Sequence, residues 1–275
     1  MSSALSDKRI GFIGSGAMAR ALAGGLLSSG VSADRVRAAD PADASREEFQ
    51  REVGAAVVSD NAALIADSDV IVIAVKPGIV SAVLDDLSGQ PDLDRPLWIS
   101  IAAGIPLASL QAGLPDAARI VRAMPNTPAL VGAGATAYCA NPATREDDQE
   151  IARALFESVG TTWQAPDESM LDVVTGLSGS GPAYIFLVLE ALIDAGIHMG
   201  LPGDAAHQLA CQTVLGAARL ALESGRAPAD LREQVTSPGG TTIAGLQQLE
   251  AAGVPTAFAE AVAAATTRSR ELSQG

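Results

Sequence analysis

Ser237, Thr241 and Thr242 stand around Pro238-Gly239-Gly240, and this stretch is the most chemically suggestive in the chain. Pro238 denies Ser237 an easy helical conformation, and the two glycines let the backbone turn tightly. Apolar residues at Ile243, Leu246 and Leu249 recur at helical spacing, so a helix is expected to begin close to Gly240. A loop that runs into a helix N-terminus presents unpaired N–H groups and the positive end of the helix dipole. With hydroxyls beside it, such an end suits a small carboxylate or phosphate. Ser237, Gly239, Gly240, Thr241 and Thr242 are therefore the candidate ligand-holding residues.

A second constellation lies near the N-terminus. Arg9-Ile10-Gly11-Phe12-Ile13 reads as a short apolar strand, followed by Gly14-Ser15-Gly16-Ala17-Met18-Ala19 and a helix over 20–28. This is a dinucleotide fingerprint with alanine in the third place. Gly14 makes the turn, Gly16 admits the pyrophosphate close to the backbone, and Ala19 lets the helix pack on the strand. Asp40, at the end of the second strand, is placed to accept from the ribose 2′-hydroxyl and so to favour NAD. Arg46 or Arg20 offers the opposite reading, a guanidinium for the 2′-phosphate of NADP. The sequence leaves both open.

The elements that must position these residues alternate. Strands are expected at 36–39, 56–58, 70–74, 97–101 and 119–123, with Asp60 or Asn61 capping the helix after the third. Strands alternating with short helices predict a doubly wound parallel sheet, and 134–138 and 161–164 add edge strands around a helix at 145–158. Ligands bind beyond the carboxyl ends of such strands. Three loops there stand out: Ala74-Val75-Lys76-Pro77, Ser100-Ile101-Ala102-Ala103-Gly104, and Arg122-Ala123-Met124-Pro125-Asn126-Thr127-Pro128. Together with Gly14, Ser15, Gly16, Ala17, Met18 and Asp40, the cofactor-binding candidates are Val75, Lys76, Pro77, Ala102, Ala103, Gly104 and Asn126.

From Met170 the strand pattern stops, and helices are expected at 171–177, 184–199, 205–224, 229–235, 241–252 and 256–272. The fold class is α/β: an N-terminal Rossmann-type doubly wound sheet over 1–166, then an all-α domain over 167–275. Helices apolar nearly all round are buried in more than one direction. In a domain this small, that points to a dimer whose helices share one core.

Composition limits the partners. A net charge of −14 makes nucleic acid and anionic membranes poor ones. Cys139 and Cys211 lack metal-ligand spacing and suit a reducing cytoplasm, so no metal site is expected. The N-terminal stretch does not read as a signal peptide. The longest apolar segment, 183–197, carries Glu190 and Asp194 and is short for a bilayer span. A soluble cytoplasmic protein is the expectation.

Along nearly its whole length the chain resembles the pyrroline-5-carboxylate reductases. The matching pieces are the Gly14–Ala19 fingerprint, the three loops above, Ser178-Gly179-Ser180-Gly181-Pro182-Ala183-Tyr184, and the 237–242 loop with its helix. The resemblance implies reduction of 1-pyrroline-5-carboxylate to L-proline, the last step of proline biosynthesis, with NADPH the more usual donor and NADH the alternative. It also implies a helical dimerisation domain, with dimers gathered into larger homo-oligomers such as a decamer. Ser237 and the N–H groups of Gly240 and Thr241 would hold the substrate carboxylate. Thr242 would be the catalytic hydroxyl, hydrogen-bonded to the ring nitrogen. A related dehydrogenase class uses a lysine from its helical domain, and this chain has no lysine after Lys76. His198 and His207 are expected to be structural.

Overall fold

The computed structural model describes residues 3–274. The chain divides into two compact units, one of residues 1–180 with 264–275, the other of residues 181–263. The expected division at 166/167 follows the end of the alternating pattern. Contact density instead keeps the next helical turns, and the last turns of the chain, with the first unit.

The first unit is built on one eight-stranded sheet: β1 (Ile10–Ile13), β2 (Val36–Ala39), β3 (Ala56–Val58), β4 (Val70–Ile73), β5 (Leu97–Ser100), β6 (Arg119–Met124), β7 (Gly134–Ala140) and β8 (Gly160–Gln164). Their order is β3-β2-β1-β4-β5-β6-β7-β8. The first six run parallel, with Ile10 opposite Val36 on one side and Val70 on the other. β7 turns antiparallel to β6, and β8 runs parallel to β7. Every residue of β1, β4 and β5 is buried, which is why these segments read as unbroken apolar runs.

Helices cover both faces: α1 (Ala17–Ser28), α2 (Asp43–Val53), α3 (Asn61–Ala66), α4 (Val80–Leu87), α5 (Leu107–Ala112) and α6 (Glu146–Glu157). One core cluster joins Phe12, Leu22, Leu26 and Phe49 to Leu155 and Phe156 of α6; the other joins Ile71, Ile73, Leu84, Leu87, Trp98 and Leu110. Asp60, the expected cap, accepts from the Ala62 N–H at 3.0 Å and starts α3. Asp148 caps α6 by accepting from the Arg145 N–H at 2.9 Å, and its other oxygen pairs with Arg119 at 2.6 Å.

After β8 the chain becomes helical: α7 (Met170–Val174), a π-helical turn (Thr175–Gly179), α8 (Gly181–His198), α9 (Gly203–Ser224), α10 (Pro228–Gln234), α11 (Thr241–Ala251) and α12 (Val254–Gln274). The π-turn was not foreseen. It closes with the Ser180 N–H donating to Thr175 O at 2.8 Å, and Pro182 just beyond, lacking an N–H, leaves the Ser178 carbonyl without the usual helical donor four residues on. Asn126 fills the gap by donating from Nδ2 to Ser178 O at 2.9 Å.

The second unit buries little in one chain. Only Ala206 and Ala210 are buried on α9, and no residue is on α8, α10 or α11. Phe186, Leu187, Leu209, Leu215 and Leu222 are exposed. The α7–α8 run, Met170–His198, is long and apolar enough to cross a membrane by length and composition alone. The expected 15-residue segment was therefore too short a reading, because the π-turn joins α7 to α8 instead of ending the helix.

Candidate active site

Loops after β1, β4, β5 and β6 lie at the same edge of the sheet, and the strand order reverses between β1 and β4. Gly14 adopts φ +95°, and a Cβ there would meet the Ala74 carbonyl oxygen at 2.9 Å. Only glycine fits both the turn and the closeness of the neighbouring strand. Beside Gly16, by contrast, a Cβ would find nothing within 4 Å. This open cradle faces the start of α1, where Gly16 is an N-cap without a side-chain partner and the first helical bond runs from the Arg20 N–H to Gly16 O. The N–H groups of Ala17, Met18 and Ala19 therefore lack helical acceptors, the arrangement a pyrophosphate requires. The residues present fit a dinucleotide.

Asp40 is drawn inward. Its Oδ2 accepts from the Ser15 N–H at 3.0 Å and the Ser15 hydroxyl at 3.1 Å, and its Oδ1 accepts from the Ala42 N–H at 2.9 Å. The carboxylate pins the glycine loop to the end of β2. Arg46 donates to the Asp40 carbonyl at 2.5 Å and pairs with Asp43. Arg20 pairs with Glu48 and Glu52, each at 2.8 Å. Neither guanidinium is idle, but both stand close to the carboxyl end of β2.

Lys76 is exposed just past β4 and, among the described residues, forms no ion pair. Ala102 is buried and Ala103 exposed in the loop after β5, where the Ala102 N–H reaches the Ser100 hydroxyl at 3.4 Å. Asn126 is held at both ends of its amide: Oδ1 accepts from the Ala135 N–H at 2.8 Å while Nδ2 serves Ser178. The amide thus fixes the loop after β6, the loop in which the sequence places a cofactor contact.

Three more side chains support this edge and were not singled out beforehand. Arg122, buried on β6, pairs with Glu168 at 2.6 Å, and the same Glu168 oxygen accepts from the Leu107 N–H at 2.7 Å. Asp172, also buried, accepts from the Ser269 hydroxyl at 2.7 Å. The available signal was two acids four residues apart at the start of an apolar helical segment. Cys139 on β7 is no nucleophile: burial, with Glu168 adding to it, pushes its thiol up to about 12.

In the second unit, Ser237 to Gly240 form a type II turn. Pro238 and Gly239 occupy its centre, Gly239 has φ +68°, and the Gly240 N–H donates to Ser237 O at 3.0 Å. This corrects one expectation: the Gly240 N–H already has an acceptor in the turn and is not free for a carboxylate. Gly240 is the N-cap of α11 and has no side-chain cap, and the first helical bond is Ala244 N–H to Gly240 O at 3.4 Å. The N–H groups of Thr241, Thr242 and Ile243 are left without helical acceptors. Among the described residues no hydrogen bond engages the hydroxyls of Thr241 and Thr242. Ser237, Gly239 and Thr241 are exposed and Thr242 half-buried. His198 bonds back to the Asp194 carbonyl at 2.7 Å, and His207 lies 3.9 Å from the Cys211 sulfur.

A strand, glycine turn and helix with bare amides at the switch point of this sheet define a dinucleotide-binding protein of the Rossmann type. Comparisons with known proteins narrow the class. The family described as pyrroline-5-carboxylate reductase dimerisation matches residues 168–272, and that described as NADP oxidoreductase, coenzyme F420-dependent, matches residues 9–104. The pyrroline-5-carboxylate reductase of Methanosarcina acetivorans is 43% identical over 269 residues, 98% of this chain and 99% of that protein. A solved pyrroline-5-carboxylate reductase from Coxiella burnetii is 39% identical with a TM-score of 0.91, covering 97% of this chain and 98% of that one. The Plasmodium falciparum enzyme, solved with NADP bound, is 32% identical with a TM-score of 0.87, covering 98% and 99%. The chain belongs to the pyrroline-5-carboxylate reductases, a family of NAD(P)-dependent oxidoreductases.

Proposed function

We propose that this chain reduces 1-pyrroline-5-carboxylate to L-proline in the cytoplasm with NADPH as its preferred donor, residues 1–166 holding the cofactor and residues 167–275 dimerising and holding the substrate. The observation that carries the substrate assignment is the uncapped start of α11. There the N–H groups of Thr241, Thr242 and Ile243 lack acceptors and lie among hydroxyl side chains. In this reading Ser237 and the Thr241 N–H hold the carboxylate, with the turn at Gly239 and Gly240 setting their spacing. The Thr242 hydroxyl donates to the lone pair of the neutral ring nitrogen and relays to it a proton drawn from solvent, which gives the protonated imine that accepts hydride.

When bound, the reduced nicotinamide supplies a hydride to the imine carbon. The amides of Ala17 and Met18 hold the pyrophosphate beside Gly14, Ser15 and Gly16. Val75, Lys76 and Pro77, with Ala102, Ala103 and Gly104, seat the ribose and the flat ring, and Asn126 keeps the adjoining loop fixed. A protonated imine is already a strong electrophile, so alignment does most of the work and no strong acid is needed.

NADPH is favoured because Asp40 has its acceptors filled by Ser15 and Ala42, and because Arg46 and Arg20 stand beside it. The charge of Asp40 itself supports NADH as the second reading. The homo-oligomer is a dimer through the exposed apolar helices, and dimers gather into larger assemblies such as a decamer. Following nicotinamide absorbance on adding 1-pyrroline-5-carboxylate, with NADPH and NADH in parallel, tests both points. Consumption faster with NADPH is expected; no consumption with either would overturn the reading.

A further inference from the structure

The last turns of α12 belong with the first unit, although the helix begins in the second. Ser269 and Asp172, 97 positions apart, are both buried, and their hydrogen bond of 2.7 Å is charge-assisted. One turn further on, Leu272 backs the loop after β5: a Cβ on Gly104 would lie 3.4 Å from Leu272 Cβ. Glu168, four residues before Asp172, clamps the other end of the same loop through the Leu107 N–H and is itself fixed by Arg122. A cleft of about 550 Å³ bounded by Pro77, Gly78, Gly104, Ile105, Leu272 and Ser273 lies beside these contacts, so α12 also borders the loop after β4.

We propose that Ser269, through Asp172, is a positioning residue for cofactor binding: it holds the end of α12 against Gly104 and thereby fixes the loop that seats the nicotinamide. The proposal rests on the reading of Ala102, Ala103 and Gly104 as that seat. Without the hydroxyl, Asp172 loses its donor and the end of α12 is free to lift. The loop is then clamped only at Leu107, and its cost of ordering falls on cofactor binding.

The test uses the full-length dimer and the fluorescence of bound NADPH. Ser269→Ala is expected to raise the Kd of NADPH, and its KM, about tenfold, the scale of one charge-assisted hydrogen bond. kcat at saturating NADPH and the KM for the imine should stay unchanged. A chain ending at Glu271 keeps the hydrogen bond but loses Leu272, and is expected to raise the Kd about threefold by the same reasoning. This second variant stands in if Ser269→Ala does not fold. A lowered melting temperature with an unchanged Kd in both variants would overturn the proposal, because a merely structural contact behaves that way. Ala103→Trp puts bulk on the seat itself. Binding lost in Ala103→Trp but unmoved in the other two would sink the brace alone; binding unmoved in all three would sink the seat and the brace together.

Discussion

A carboxylate that already accepts two N–H bonds and a hydroxyl has little left for a ligand, and Asp40 is so placed. What it still projects is charge. Asp40→Asn keeps an acceptor for the glycine loop and removes that charge. It should raise the preference for NADPH over NADH by about fivefold, the effect of ~1 kcal/mol of repulsion relieved at a solvated phosphate. The ratio of the two kcat/KM values is the readout, and a fall in that ratio would mean Asp40 does not face the 2′ position. Thr242 is a case of the opposite kind, a hydroxyl without a described partner beside bare amides. Thr242→Ala should cut kcat by about 100-fold, the low end for positioned proton transfer, with NADPH binding unchanged; wild-type turnover would remove Thr242 from the mechanism.

At the scale of elements, the sheet was legible because its physics is local. Val70-Ile71-Val72-Ile73, short and β-branched, reads as a strand buried on both faces, and all eight strands fall where apolar runs and turn residues put them. The glycine turn was legible because Gly14 takes a positive φ against the Ala74 carbonyl that no other residue fits, while Gly16 leaves the space a pyrophosphate needs. What stayed hidden depends on partners distant in sequence. The tie from Asn126 to Ser178 was not legible because nothing in the Asn126 loop says that Ser178, 52 positions on, lacks a donor. Arg122, Glu168, Asp172 and Ser269 were hidden for the same reason. The π-turn gives a prediction at this scale. Asn126→Ala leaves the Ala135 N–H and the Ser178 carbonyl without their partners and should cost about 1–3 kcal/mol. In a Pro182→Ala background the restored N–H can serve Ser178, so the same substitution should cost less, and a double-mutant cycle by chemical denaturation measures the difference. Equal costs in both backgrounds would refute the link.

For the whole molecule, two conditions govern stability. The first is pH. Burial raises the thiol of Cys139 from 9.0 to about 12 and also raises the Tyr138 phenol. Each is an acid held neutral in the fold, so above its ordinary pKa the unfolded chain has released a proton that the native one keeps. Stability is intact below pH ~9 and falls as pH rises from there toward 12. Cys139→Ala should flatten that alkaline slope in thermal melts; an unchanged slope would assign it elsewhere. The second condition is concentration. With Phe186, Leu187 and Leu209 exposed on one chain, the helical unit completes its core against another copy. Phe186→Glu should sediment as monomer, and the wild-type melting temperature should rise with protein concentration. A concentration-independent melt would contradict a shared core.

The Met170–His198 run has a consequence that precedes any catalysis. Until a second copy arrives, a newly made chain carries a helix that the membrane-insertion machinery could accept on hydropathy. Glu190 and Asp194, one turn apart on α8, oppose that fate. A carboxylate at the centre of a span costs about 2.5–3.5 kcal/mol on the insertion scale, and these two, in the C-terminal third of the run, cost less but still oppose insertion. In the finished enzyme these two acids look like misfits on a greasy face. Their charge counts against burial in lipid, while the exposed apolar residues beside them, Phe186 and Leu187, suit the surface of another copy.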